Sequence, residues 1–418
     1  MKTFKTRLEL NNKQRTLASK HAGVARYAYN WGKTVCDKAI ADKTGRPSAY
    51  DLQKKFVAEE KSAHPWLYEV SKCAPQHALR NLDMAYKRVF KVKGTRYPRF
   101  KKKGQHDSFY LEGDIATKTN YIKIPKFGYV KCSEVLPDCE IKNVSISKTA
   151  GQWFIAFRVP FEPTKHTHTS IVGVDLGIKT LATISNGDIA PAVSAYRRNK
   201  RKLKLLQRSA SRKVIASKNR AKANQKVAKL HYRIANIRKD AIHKLTTDLA
   251  KNHGEIVIED LNVSAMSKNH KLASAILDGG FNEFRRQLDY KCKWYGATLT
   301  IVDRFYPSSK TCSDCGYINK DLRLSDRVYK CPDCGLSIDR DLNAAINLMK
   351  KAVSYTASAC GEPNQLATLV VGGSMKQEVN SIPIPLKVQG CVSFSQRAMV
   401  SGQALKRLQD KQQTTVTT

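Results

Sequence analysis

Four cysteines carry the plainest chemistry in the chain. Cys312, Cys315, Cys331 and Cys334 form a C-x2-C-x15-C-x2-C pattern. Each C-x-x-C turn can bring two thiolates to one metal ion, and two turns complete a tetrahedral four-thiolate zinc site. Gly316 and Gly335 each follow the second cysteine of a pair, where a tight turn often needs φ > 0. Four protein ligands fill the coordination shell, so the expected zinc is structural and leaves no position for a substrate. A segment this small has no core of its own, so metal binding should supply its folding energy. The other seven of the eleven cysteines are scattered.

Three carboxylates form a second constellation. Asp175 ends the apolar run Ile171-Val172-Gly173-Val174, and Glu259 ends Ile256-Val257-Ile258. Asp341 opens a helical pattern whose inner face should hold Ala345, Leu348 and Met349. An acid at the end of an apolar strand is costly unless it is paired or binds metal. Strand ends are also where α/β sheets place their sites. Converging carboxylates suit the hard cations Mg2+ and Mn2+. Two such ions about 3.5–4 Å apart can activate a water and stabilise the leaving oxygen of a phosphodiester. Asp339 is the rival to Asp341 and could instead cap the helix. Asp260 neighbours Glu259 but should point to the opposite sheet face.

The charge balance names the class of partner. Lys and Arg number 74 against 35 Asp and Glu in 418 residues, a net charge of +39. A small-molecule enzyme has no use for this much self-repulsion, whereas a bound polyanion would neutralise it. The excess is local. Arg197 to Lys244 holds 18 basic residues and one acid, Asp240, and Lys87 to Lys103 holds nine and none. Beyond Val353 there are six basic residues and three acids. Nucleic acid should therefore lie across the middle of the chain.

The elements that must position these residues follow from periodicity. Residues 8–87 read as helices, with Asn11 or Asn12 as a cap and Leu17, Val24, Ala28 and Trp31 near a 3.6 period. Residues 97–162 read as strands, with a hairpin around Ala150-Gly151. A Pro- and His-containing linker, 161–170, is expected to be a solvated loop. The buried-type strands at 171–175, 180–184, 256–259 and 298–302 alternate with helices, which indicates an α/β domain. Between them lies a basic helical hairpin broken near 211–218. Its second arm carries a stripe of Val227, Leu230, Ile234, Ile237, Ala241, Leu245 and Leu249. Residues 361–418 lack a sustained period and are expected to be disordered. The charged start of the chain and the lack of a long apolar run lead to the expectation of neither a signal peptide nor a membrane span. The expected location is cytoplasmic, or nucleoid-associated when bound to DNA, with thiols reduced.

Taken together, these motifs resemble the TnpB (OrfB) proteins of bacterial insertion sequences, relatives of type V CRISPR nucleases. The likeness rests on Gly173-Val174-Asp175-Leu176-Gly177-Ile178-Lys179, on Ile258-Glu259-Asp260-Leu261, and on Tyr306-Pro307-Ser308-Ser309-Lys310-Thr311-Cys312. Asp339-Arg340-Asp341-Leu342-Asn343-Ala344-Ala345, Arg26-Tyr27-Ala28-Tyr29-Asn30 and Tyr97-Pro98-Arg99-Phe100-Lys101 extend it over about residues 1–350. It implies a multidomain α+β and α/β protein. A wedge-like β-barrel (1–7 and 88–170) would be interrupted by a helical recognition domain (8–87). An RNase H-like, RuvC-type nuclease domain (171–310 and 336–360) would hold a zinc ribbon (311–335). It implies Asp175, Glu259 and Asp341 as ligands of Mg2+ or Mn2+. The implied activity is RNA-guided cleavage of double-stranded DNA beside a short transposon-associated motif, with a guide RNA from the transposon end; the sequence shows no coiled-coil or other dimer seam, so a monomer is expected. Tyr50, Lys72 and Gln76 are candidate readers of that motif. Arg197, Arg198, Arg201, Arg208 and Arg212 are candidate phosphate contacts. Two alternatives stay open: a nucleic-acid-binding regulator of transposition that does not cut, and a DNA strand-transfer transposase.

Overall fold

A reciprocal cap sets the start of the first long helix. The Asn11 side chain accepts the Gln14 N–H at 2.8 Å, and the Gln14 side chain accepts the Asn11 N–H at 3.1 Å. The cap is thus Asn11, between strand β1 (Lys2–Glu9) and helix α1 (Asn12–Ala41). The computed structural model describes residues 1–163, 168–323 and 325–360, the last six by backbone alone. The expected disorder of 361–418 and the loop reading of His166 lie outside the described residues.

Helices α2 (Ala49–Lys55) and α3 (Cys73–Lys91) follow α1, joined by a π-type turn at Phe56–Lys61 and a 3-10 turn at Pro65–Glu69. Next come β2 (Ser108–Glu112), β3 (Ala116–Lys118), β4 (Tyr121–Ile124), β5 (Gly128–Cys132), β6 (Asn143–Thr149) and β7 (Gln152–Val159). They form a seven-stranded antiparallel sheet with β1 near its middle, in the order β2-β6-β7-β1-β5-β4-β3. Among the described residues no pairing joins β3 to β2, so the expected barrel is an unclosed sheet. The β6–β7 hairpin turns at Ala150 (φ 51°) and Gly151 (φ 83°), the two positive φ values that a tight right-twisting hairpin needs. One apolar core spans this sheet and the helices, from Ala28 and Leu79 to Ile122, Ile146 and Ile155. The helices between β1 and β2 therefore depend on the sheet for burial.

The second sheet comprises β8 (Ile171–Asp175), β9 (Thr180–Ile184), β10 (Ile189–Pro191), β11 (Glu255–Glu259) and β12 (Thr298–Val302). Helices α4 (Ala195–Ser211) and α5 (Lys218–Asn252) lead from β10 to β11. Helices α6 (Val263–Met266), α7 (Ala273–Gly279) and α8 (Phe281–Tyr295) lead from β11 to β12. The order is β10-β9-β8-β11-β12; β8, β11 and β12 are parallel, and β9 and β10 antiparallel. A small hairpin, β13 (Val328–Lys330) with β14 (Ser337–Asp339), precedes α9 (Arg340–Cys360). The hairpin carries the ribbon fold past residue 335, up to the start of α9.

Strand alternation gives this sheet two cores. Val172, Val174, Ile256 and Ile258 face Ile242, Leu249, Phe284 and Leu288 of α5 and α8. Val257 and Val302 face Leu348 and Ala352 of α9. The stripe predicted along α5 serves two partners. Leu230 and Ile234 pack with Leu203 of α4, and the buried face then turns to Ile242 and Leu249, while Ala241 is only half-buried. A 35-residue helix outruns a single neighbour, and a straight 3.6-residue period drifts around its axis.

Candidate functional site

The cysteines converge. All four Sγ atoms lie within 4.8 Å of one another. Cys312 and Cys334 are 3.6 Å apart, and Cys315 and Cys331 3.5 Å. Zn–S bonds of about 2.3 Å in a tetrahedron put sulfurs about 3.8 Å apart, so the set fits zinc with little adjustment. Both turns use the same bonds: Gly316 N–H to Cys312 O at 3.1 Å, and Gly335 N–H to Cys331 O at 3.2 Å. Their φ values, 82° and 76°, account for the glycines. Without a metal the clustered thiols share their protons unevenly: against desolvation, N–H groups of Cys334 and Asp333 lower the Cys331 thiol, while Cys315 and Cys334 are raised.

Helix α9 holds the ribbon by side chains that pattern reading passed over. The Asn343 side chain accepts the Ser313 N–H (2.9 Å) and donates to Thr311 O (2.7 Å). Asn347 donates to Ser308 O (2.8 Å) and Thr311 O (2.6 Å), and Lys350 donates to Ser313 O. Both asparagines are buried. Their 343, 347, 350 spacing, one helical face, was the available signal.

The same helix brings the acids together. Gly173 and Asp175 share one face of β8, two residues apart. A Cβ on Gly173 would stand 2.0 Å from Ala345 O and 2.7 Å from Met349 N. The α9 backbone therefore lies directly on the strand, and Asp341, one turn before Ala345, comes over Asp175. Glu259 reaches the same place through the sheet. Val257 pairs with Gly173 and Ile258 with Val174 in parallel register, so Glu259 follows beside Asp175. Burial first, then the charges of Asp341 and Glu259, push the Asp175 carboxyl up to about 7; Arg340 opposes this. Burial, then Asp260, also raises Glu259. Among the described residues the three carboxylates do not all approach within 4.8 Å of one another. A pair of ions about 3.5–4 Å apart would bridge acids at wider spacing, and an all-oxygen donor set with too little counter-charge suits divalent cations.

The neighbouring acids are otherwise engaged. Asp339 Oδ1 accepts the N–H groups of Asp341 (2.9 Å) and Leu342 (3.1 Å), the capping role. Asp260 is clamped by Arg285 and Arg304.

Comparison with known proteins sets this geometry in a family. A model described as "Probable transposase" (OrfB_IS605) matches residues 154–270, "Cas12f1-like, TNB domain" matches 281–348, and an OrfB_IS605 "Helix-turn-helix domain" matches 1–44. A Streptomyces pristinaespiralis protein named "Putative RNA-guided DNA endonuclease" is 35% identical over 397 residues, covering 90% of this chain and 96% of that protein. The chain belongs to the TnpB (OrfB) family. "Putative RNA-guided DNA endonuclease InsQ" of Escherichia coli (strain K12) is likewise 35% identical, over 90% of this chain and 97% of its own. A solved Cas12f1-sgRNA-target DNA complex aligns over 84% of this TnpB-family chain and 99% of its own at 17% identity, with a TM-score of 0.34, too low to bear on the fold. Over 1–44 this TnpB-family chain forms one strand and one unbroken helix.

The nucleic-acid candidates are dispersed. Tyr50 stands exposed on α2, with Lys54 Nζ 4.6 Å from its ring centroid. Lys72, at the start of α3, and half-buried Gln76 lie one turn apart. Arg197, Arg198, Arg201 and Arg208 on α4, and Arg212 at its end, are all exposed and have no ion-pair partner among the described residues.

Proposed function

We propose that this chain is a transposon-encoded, RNA-guided DNA endonuclease that depends on divalent metal, with Asp175, Glu259 and Asp341 as the metal-holding carboxylates. The observation that supports the proposal is that Asp341 and Glu259, both distant in sequence, lie near enough to raise the Asp175 carboxyl, with α9 in close contact with the strand at Gly173. The strand order, with an antiparallel β10-β9-β8 run beside parallel β11 and β12, supports an RNase H-like, RuvC-type nuclease domain. The names of the full-length relatives support RNA guidance and DNA as the target.

Mg2+ or Mn2+ would supply water activation and charge neutralisation at the scissile phosphate. Asp175, between the other two acids, would be the central ligand, and its raised pKa means that loading a cation releases a proton. Arg340 lies 3.3 Å from Asp341 Oδ1 and would restrain that side chain. The four cysteines would hold structural zinc. Arg197, Arg198, Arg201, Arg208 and Arg212 would track guide or hybrid phosphates. Tyr50, Lys72 and Gln76 would read the short motif beside the target. Residues 1–7 and 88–170 would form the wedge, and 8–87 the recognition domain.

The test is purification with co-bound RNA, sequencing of that RNA, and incubation with matching plasmid and Mg2+. Guide-dependent linear DNA is the expected product. Joined strands would instead assign a strand-transfer transposase, in keeping with the description of the matching family model. Salt-sensitive binding without a cut would assign a regulator. Asp175→Ala should abolish cutting while RNA binding stays near normal; loss of both would make Asp175 a structural residue.

A further inference from the structure

Two N-terminal motifs outside the carboxylate and cysteine clusters meet at one groove. Arg26-Tyr27-Ala28-Tyr29-Asn30 lies on α1, and Tyr97-Pro98-Arg99-Phe100-Lys101 runs beside it. Asn30 joins them: its side-chain oxygen accepts the Lys101 N–H at 2.8 Å, and its amide donates to Lys101 O at 3.0 Å. This pair of bonds holds Phe100 at the edge of a cavity of about 710 Å³, whose walls include Tyr27, Trp31 and Trp66.

The rings are braced yet open to solvent. Tyr27 meets Trp66 edge-on at 5.3 Å, and Trp31 meets Phe56 at 5.2 Å. Trp66 is nevertheless 43% exposed and Phe100 53%. Exposed rings lining a preformed groove point to a ligand that covers them. Charge identifies its class. Lys20 and Arg26 at the groove are matched by Glu69 and Asp107. Arg99, Lys102 and Lys103, flanking Phe100, are exposed in a run free of acids. Flat apolar faces beside unmatched cations suit a base and its phosphates. A duplex buries its base faces, so the fitting form is single-stranded.

We propose that this groove holds an unpaired nucleobase of single-stranded RNA, stacked on Trp66 and Phe100, with its phosphates met by Arg99, Lys102 and Lys103. The choice of RNA rests on the reading of the chain as a guide-RNA carrier.

The test uses the full chain and a short single-stranded RNA labelled with thiouridine. Photo-cross-linking followed by mass spectrometry should place adducts on Trp66 or Phe100. Trp66→Ala and Phe100→Ala should each weaken RNA binding about tenfold, with Trp66→Phe and Phe100→Tyr retaining most of the affinity. Adducts confined to other surfaces, or unchanged affinity in both alanine variants, would overturn the proposal. A DNA strand of the same sequence that binds equally well, with the same dependence on the rings, would overturn the choice of RNA. A cross-linked segment of this chain in the groove would overturn the ligand class. Where a variant fails to fold, the wild-type adduct map decides. Wild-type protein that cross-links here but leaves guide-matched DNA intact would sink the nuclease reading and spare the groove; an active nuclease indifferent to both rings would do the reverse.

Discussion

Lys291 is a charge placed where charge is costly. It is buried between α5 and α8, where its Nζ donates to His243 O, Thr246 Oγ1 and Thr247 Oγ1, each at 2.7 Å. Burial, then the charge of Lys2, lowers its pKa from 10.5 to about 8. A folded pKa below the unfolded one means that the native state holds fewer protons in the window between them. The group therefore favours folding at high pH, and that contribution is lost as pH falls from about 10.5 to about 8. Measured as urea midpoints against Lys291→Met, wild-type stability should gain on the variant across this window, by on the order of 3 kcal/mol. A flat difference would mean that the three acceptors offset the burial. The Asp339 and Asp341 pair makes a related point at the same scale. Two acids two residues apart are equivalent in the sequence, yet one caps α9 while the other stands beside Asp175.

Helix α9 is the element that joins the two centres: one face seats Asp341 against β8, and another latches the ribbon. Gly173→Ala would force a methyl into the α9 backbone. It should cost about 1–3 kcal/mol of stability and, by displacing Asp341, reduce cutting about a hundredfold. A stable variant that cuts normally would detach α9 placement from catalysis. The ribbon separates metal from latch. Cys331→Ser should release zinc and loosen the ribbon, as seen by metal analysis and local hydrogen exchange; full zinc content would refute the four-thiolate site. Asn347→Ala should keep zinc yet lower thermal stability, at about 1–3 kcal/mol for the Ser308 carbonyl it leaves unpaired, Thr311 O keeping its bond from Asn343. Cysteine spacing was legible because four cysteines in two turns are a local pattern. The latch was not, because an asparagine pair on a helix declares nothing until its partners are known.

For the molecule as a whole, +39 predicts binding dominated by counterion release. Replacing Arg201 and Arg208 together by Gln should lower the slope of log affinity against log salt by about 1.4 on single-stranded RNA, about 0.7 for each phosphate no longer neutralised. An unchanged slope would move the phosphate path off α4. The sequence by itself determined the charge excess, the four-cysteine cluster, the hairpin at Ala150-Gly151, the basic helix pair and the strands that end in Asp175 and Glu259. These are properties of composition or of a few adjacent residues, where side-chain period and turn geometry act locally. Tertiary structure decided the rest: that the first sheet is unclosed and shares a core with the helices, that α5 divides its apolar stripe between two partners, and that two N-terminal motifs form one groove. It also decided that β11 lies beside β8 with α9 across them. How distant segments meet depends on how surfaces fit in space, and no periodicity within a segment encodes its neighbour.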